Sequence, residues 1–176
     1  DYKWSRMAVD HLIDQGCRRI LHLAGPDTLQ LSMLRMKGWR DSLAAHDLPA
    51  DDSLIVYSGL SLEDGGTAAH KIGMEHRPDG IFAINDPVAI GAMKTLQKNG
   101  VKIPADIAVV GFSESRMGMI IEPNLSSVEQ PTFEMGRVSA QLLLEQIKGR
   151  EMNRKAETKN IVLDAKLNVR GSSIRG

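Results

Sequence analysis

The residues of this sequence that could do chemistry fall in short polar segments, each following an apolar run. Asp27 and Thr28 follow Ile20–Ala24, and Ser58 and Ser61 follow Leu54–Tyr57. Asn85 and Asp86 follow Ile81–Ile84, and Ser113, Glu114, Ser115 and Arg116 follow Ile107–Gly111. Hydroxyl, amide and carboxylate groups in such a set can donate to and accept from a neutral polyhydroxylated ligand. Arg35 lies in the first turns of the helix expected after the first run, and its guanidinium fork suits two-pronged contact with hydroxyls or a carboxylate.

Catalytic readings find little to stand on. Gly111-Phe112-Ser113-Glu114-Ser115 sits at a strand-to-helix turn but lacks the second glycine of a nucleophile elbow. Neither a Gly-x-Gly-x-x-Gly fingerprint nor a phosphate-cradling Gly-Lys-Ser/Thr loop occurs. The histidines His11, His22, His46, His70 and His76 show no paired metal-ligand spacing, and Cys17 is the sole cysteine. The expectation is a binding module with no catalytic residue, no cofactor and no metal.

Those polar segments need a frame that brings them together. Helical periodicity over residues 4–15 places Trp4, Met7, Ala8, His11 and Leu12 on one stripe, and Gly16 fits the stop. Leu31–Ala45 reads as a helix. Ser61 with Asp64 resembles a capping box that starts another, running to about Glu75. Asp86 is the expected cap of the next, with Pro87 at its first position and Asn99-Gly100 at its end. A short helix is expected over 114–121 and a long amphipathic one over Thr132–Ile147. Ser126–Val128, Asn160–Asp164 and Lys166–Val169 read as further short strands. Short apolar strands alternating with helices imply right-handed crossovers and a parallel sheet buried on both faces. In such a sheet, ligands bind outside the carboxyl ends of the strands, where all the polar segments emerge.

Composition narrows the partners. The chain has 176 residues, which at about 70% burial of unfolded surface support a compact core without disulfides. Its 22 basic and 22 acidic residues give a net charge of zero, unlike a domain that grips phosphates directly. No apolar run approaches the ~20 residues of a membrane span. One cysteine agrees with a reducing cytoplasm. The Met117-Gly118-Met119-Ile120-Ile121 run is apolar enough for a subunit contact.

The ordered motifs resemble the lactose/galactose-repressor (LacI/GalR) family. They run from Gly16-Cys17-Arg18-Arg19-Ile20 and Leu23-Ala24-Gly25-Pro26 through Arg35-Met36-Lys37-Gly38-Trp39 to Pro78-Asp79-Gly80-Ile81-Phe82-Ala83-Ile84-Asn85-Asp86. They continue with Ile103-Pro104-Ala105-Asp106-Ile107-Ala108-Val109-Val110-Gly111-Phe112, Pro123-Asn124-Leu125-Ser126-Ser127-Val128-Glu129-Gln130-Pro131 and Leu167-Asn168-Val169-Arg170-Gly171-Ser172-Ser173. Each segment alone is weakly specific, but the series covers nearly the whole chain in order.

The resemblance implies an α/β, periplasmic-binding-protein-like (type I) sensor with a parallel-sheet, three-layer sandwich. Residues 1–128 would form its C-terminal subdomain, 129–164 a crossover with helix and strand of the N-terminal subdomain, and 165–176 a return strand and tail. It implies a sugar-like effector, a homodimer, and operator DNA bound through a headpiece that this chain does not include. The runner-up reading is a periplasmic sugar-binding transport protein of the same fold. By the resemblance, Arg35 is the ligand-binding arginine, Asn85 the cleft asparagine with Asp86 beside it, and Gln130 a glutamine at the hinge crossover. Leu60 stands where several members place a stacking aromatic. Ser113 stands where many have a ligand-binding aspartate, with Glu114 the neighbouring candidate for that carboxylate.

Overall fold

A computed structural model describes residues 1–151 and 158–175 of the chain. The apolar runs become the strands of one six-stranded sheet ordered β2-β1-β3-β4-β5-β6. Strands β1 (Ile20–Ala24), β2 (Ile55–Tyr57), β3 (Gly80–Ala83), β4 (Ala108–Phe112) and β5 (Ser126–Glu129) are parallel. Strand β6 (Lys166–Asn168) closes one edge antiparallel to β5. Every residue of β1, β3 and β4 is buried, as strands covered on both faces require.

Alternation along these strands divides the core. Leu21, Leu23, Ile81, Ala83 and Val109 pack with Ala69, Ile72, Val88, Ala92 and Met93 from helices α3 (Leu62–His76) and α4 (Asp86–Lys98). His22 and Phe82 take the opposite parity, and Trp39 of helix α2 (Gln30–Ala45) stacks on His22. Helix α1 (Tyr2–Asp14) packs beside α2 and buries Ala8, Val9, Leu12 and Ile13.

Local signals behave as their chemistry dictates. Ser61 and Asp64 form both halves of the capping box, with Asp64 N–H donating to the Ser61 hydroxyl (3.2 Å) and Ser61 N–H to the Asp64 carboxylate (2.9 Å). The cap of α4 is one residue earlier than the sequence predicts. Asn85 Oδ1 accepts the Val88 N–H at 2.9 Å, while Asp86 is already helical and turned inward. The expected helix over 114–121 is a single 3-10 turn, Arg116–Met119, capped by Ser115. Among the described residues, Asn160–Asp164 joins no strand ladder, and Ile161 and Val162 are exposed. The continuous apolar run Ile161-Val162-Leu163 fits the strand pattern, but a strand also needs a neighbour whose backbone completes its hydrogen bonds.

By contacts the chain divides into Asp1–Glu129 with Lys166–Gly176, and Gln130–Ala165. The first unit contains the sheet and its covering helices. The second contains helix α5 (Thr132–Glu151), on which Phe133, Leu143, Leu144 and Ile147 are exposed.

Candidate functional site

The carboxyl ends of the parallel strands bring Arg35, Leu60 and Asn85 to one rim, as a chain of contacts shows, and Ser113 follows β4 at the same end of the sheet. The Arg35 Nη1–H donates to the Ile84 carbonyl at 2.5 Å, one residue before Asn85. Asn85 Nδ2–H in turn donates to the Leu60 carbonyl at 2.9 Å. The Arg35 guanidinium carbon lies 3.7 Å from the Phe112 ring centroid, one residue before Ser113. Gly25, after β1, completes the floor: a Cβ there would stand 2.8 Å from Ser32 Oγ, 3.0 Å from Ile84 Cγ1 and 3.1 Å from Leu60 Cδ2.

Arg35 is only 4% exposed, yet it is fully positioned. Its Nε–H (2.9 Å) and Nη2–H (2.7 Å) both donate to Oδ1 of Asp1. Burial draws its pKa down to about 10, which leaves it cationic at neutral pH. The two hydrogen bonds to Asp1 Oδ1 and the aromatic face beneath the guanidinium offset the cost of holding this charge away from water.

Asp86 and Asn85 have different tasks despite being adjacent. Asp86 is fully buried; its Oδ1 accepts from the Ser127 hydroxyl (2.5 Å) and its Oδ2 from the Ser115 N–H (2.7 Å). Burial raises its pKa, and those hydrogen bonds oppose the rise. Its carboxylate therefore ties α4 to β5 and to the turn after β4. Asn85, partly exposed at the rim, is both the helix cap and the tie to Leu60. Ser113 adopts a left-handed backbone, φ 62°, at the bend into that turn.

Glu114 does not supply the missing carboxylate at the rim. It bonds Arg170 and Asn168 instead, and its side chain is 9% exposed. Gln130 opens the second unit, where its carbonyl accepts the Thr132 N–H at 2.8 Å. Sequence reasoning missed Asp1, Ser32 and Phe112. Ser32 carries a buried hydroxyl with no hydrogen-bond partner, one turn before Arg35 on α2. Phe112 could have been found by strand parity, whereas nothing in the sequence ties Asp1 to Arg35. Among the described residues no cluster of side chains has the makings of a metal site, and no helix is long and apolar enough to cross a membrane.

The sequence matches the periplasmic binding protein-like domain over residues 9–173. It is 36% identical over 169 residues to the HTH-type transcriptional regulator CelR of Thermobifida fusca, covering 95% of this chain and 48% of CelR. The chain belongs to the periplasmic-binding-protein-like family, in its LacI/GalR branch. The ribose operon repressor of Halalkalibacterium halodurans is 32% identical over 151 residues, covering 85% of this chain and 44% of that repressor. A solved CelR–cellobiose complex superposes with a TM-score of 0.88 at 34% identity, over 96% of this chain and 50% of that one. A putative LacI-family regulator from Sanguibacter keddieii gives 0.90 at 31% identity, over 98% and 64%. This LacI/GalR chain thus spans about half the length of the curated relatives it matches.

Proposed function

We propose that this chain is the effector-sensing part of a sugar-responsive LacI-type transcriptional regulator, and that it has no catalytic role. The observation that carries the reading is the convergence of Arg35, Asn85, Leu60 and Ser113 on one rim, linked through Ile84 and Phe112. Arg35 and Asn85 contact the effector's hydroxyls, Leu60 covers it with an aliphatic face, and Ser113 faces it from the turn after β4. Asp86 acts indirectly, by fixing the β4 turn and the start of α4. Gln130 belongs to the hinge. Residues 1–128 form the C-terminal subdomain, 129–164 the crossover and the helix of the N-terminal subdomain, and 165–176 the return strand and tail.

In the whole protein, effector binding favours one subdomain orientation, by no more than its differential affinity for the two states. Two copies paired through a surface that includes exposed Met117, Met119 and Ile120 convert that choice into headpiece spacing on operator DNA. A regulator acting on DNA in this way works in the cytoplasm. The relatives' names as regulators and repressors support this reading over a transport protein.

The test is a thermal-shift screen of the full-length protein against sugars and sugar acids. A stabilising sugar should lose its effect on Arg35→Lys and weaken on Asn85→Asp, which retains a helix-capping oxygen. A sugar that stabilises all three proteins equally overturns the site.

A further inference from the structure

Asp1 is held against Arg35 by more than its own charge. On α2, one turn beyond Arg35, Gly38 lets the first turn of α1 approach in backbone contact. A Cβ at Gly38 would stand 2.7 Å from both the Ser5 Cβ and the Tyr2 carbonyl oxygen. The Tyr2 hydroxyl donates to Asp41 at 2.8 Å, and the Lys37 ammonium lies 5.1 Å from the Tyr2 ring centroid. The Asp1 carbonyl accepts the Ser5 N–H (3.0 Å) and the Ser5 hydroxyl (2.9 Å). These contacts fix the start of α1 on α2 and place the Asp1 carboxylate at the Arg35 fork.

The pairing sets the electrostatics of the rim. One carboxylate already balances one guanidinium, in a place where the Arg35 side chain is 5% exposed and that of Asp1 24%. Asp1 and the Ile84 carbonyl take three of the five guanidinium N–H groups, leaving two for a guest. A hydroxyl oxygen accepts from those two without bringing charge. A carboxylate, sulfate or phosphate approaching the same guanidinium meets Asp1 at short range, where screening by water is weak.

We propose that Asp1 is a specificity-determining residue: by neutralising Arg35 it admits neutral, hydroxyl-bearing guests and turns away anionic ones. The inference rests on the reading of Arg35 as a ligand-contacting group and narrows its ligand class.

The test is an NMR titration of the chain with sodium sulfate at fixed ionic strength, following the Arg35 Nε–H resonance in wild type, Asp1→Asn and Asp1→Ala. Sulfate should barely move the wild-type signal and should bind either variant about tenfold more tightly or better. Equal binding to wild type and variants overturns the proposal while leaving Arg35 open to guests. Strong sulfate binding at Arg35 in the wild type overturns it without any variant. A signal that stays still in all three folded proteins overturns it together with the assignment of Arg35 to the ligand site.

Discussion

The Arg35 guanidinium carbon lies over the Phe112 ring, 3.7 Å from its centroid, and Phe112 is the first member of an aromatic column. Phe112 meets Phe82 edge-on at 6.5 Å, Phe82 stacks on His22 at 5.1 Å, and His22 stacks on Trp39 at 5.9 Å. The rim arginine is thereby braced by the core. Replacing Phe112 with Leu removes the cation–π face and part of the packing, and should cost about 2 kcal/mol of stability. Urea denaturation should show a lower midpoint at unchanged slope. Stabilisation by any sugar that acts through Arg35 should fall further than the loss of fold stability accounts for.

The α3–α4 crossing depends on the absence of side chains. A methyl on Gly91 would overlap the Leu62 carbonyl, which belongs to the opposing backbone and cannot step aside. Gly66 is also helical, but a methyl there would meet the Thr95 Oγ1 at 3.2 Å, a movable atom. Gly91→Ala should therefore destabilise by about 2–3 kcal/mol. Gly66→Ala should stay within about 1 kcal/mol of wild type, because helix propensity offsets the small displacement. Similar losses at the two positions would contradict the packing described.

Much of this was legible in the sequence, for reasons that particular residues show. Ile20–Ala24 and Ile107–Gly111 were readable as buried strands because a strand covered on both faces is apolar throughout. The topology then placed Asn85 and Ser113 on the same rim. What escaped was contact between residues far apart along the chain. Asp1 meets Arg35 only because Gly38 lets α1 lie close on α2, and spacing carries no trace of that crossing. The cap of α4 was misplaced by one residue because Asn and Asp are equally good caps. Burial beside Ser127 and Ser115 claims Asp86 and leaves the capping position to Asn85. Glu114 could be read as a rim carboxylate until Arg170 and Asn168, from the distant end of the chain, were seen to hold it.

Ser113 sets the direction of the turn after β4 from a left-handed conformation, φ 62°. Asparagine tolerates that region because its short side chain bonds locally, whereas a β-branched side chain crowds the backbone. Ser113→Asn should fold within about 0.5 kcal/mol of wild type, and Ser113→Val should lose about 1–2 kcal/mol. Chemical denaturation of both variants checks this, and a valine variant as stable as the asparagine one would show that the turn is not held at positive φ.

His22 should make stability fall in mild acid. Its Nδ1 lies 3.0 Å from the Phe82 carbonyl, so that nitrogen carries the proton of the neutral ring, and its buried Nε2 has no hydrogen-bond partner. Burial, with a smaller contribution from the Arg35 charge, lowers its pKa from the ordinary 6.5 to about 4, against the opposing pull of the Phe82 bond. Above the ordinary value the ring is neutral in folded and unfolded chains alike, and His22 adds no pH dependence. Between that value and about 4 only the unfolded chain takes up the proton, so stability falls by up to about 1.4 kcal/mol per pH unit, about 3 kcal/mol in all. Asp86 acts in the opposite sense, because burial raises its pKa and protonation then favours the folded chain. A wild-type curve alone therefore mixes the two contributions. His22→Phe keeps a stacked ring and removes the titration. Its stability deficit, read from urea midpoints between about pH 7 and about pH 4, should shrink by about 3 kcal/mol toward the acid end. Curves that stay parallel over that range would mean that His22 does not hold its neutral form in the folded chain.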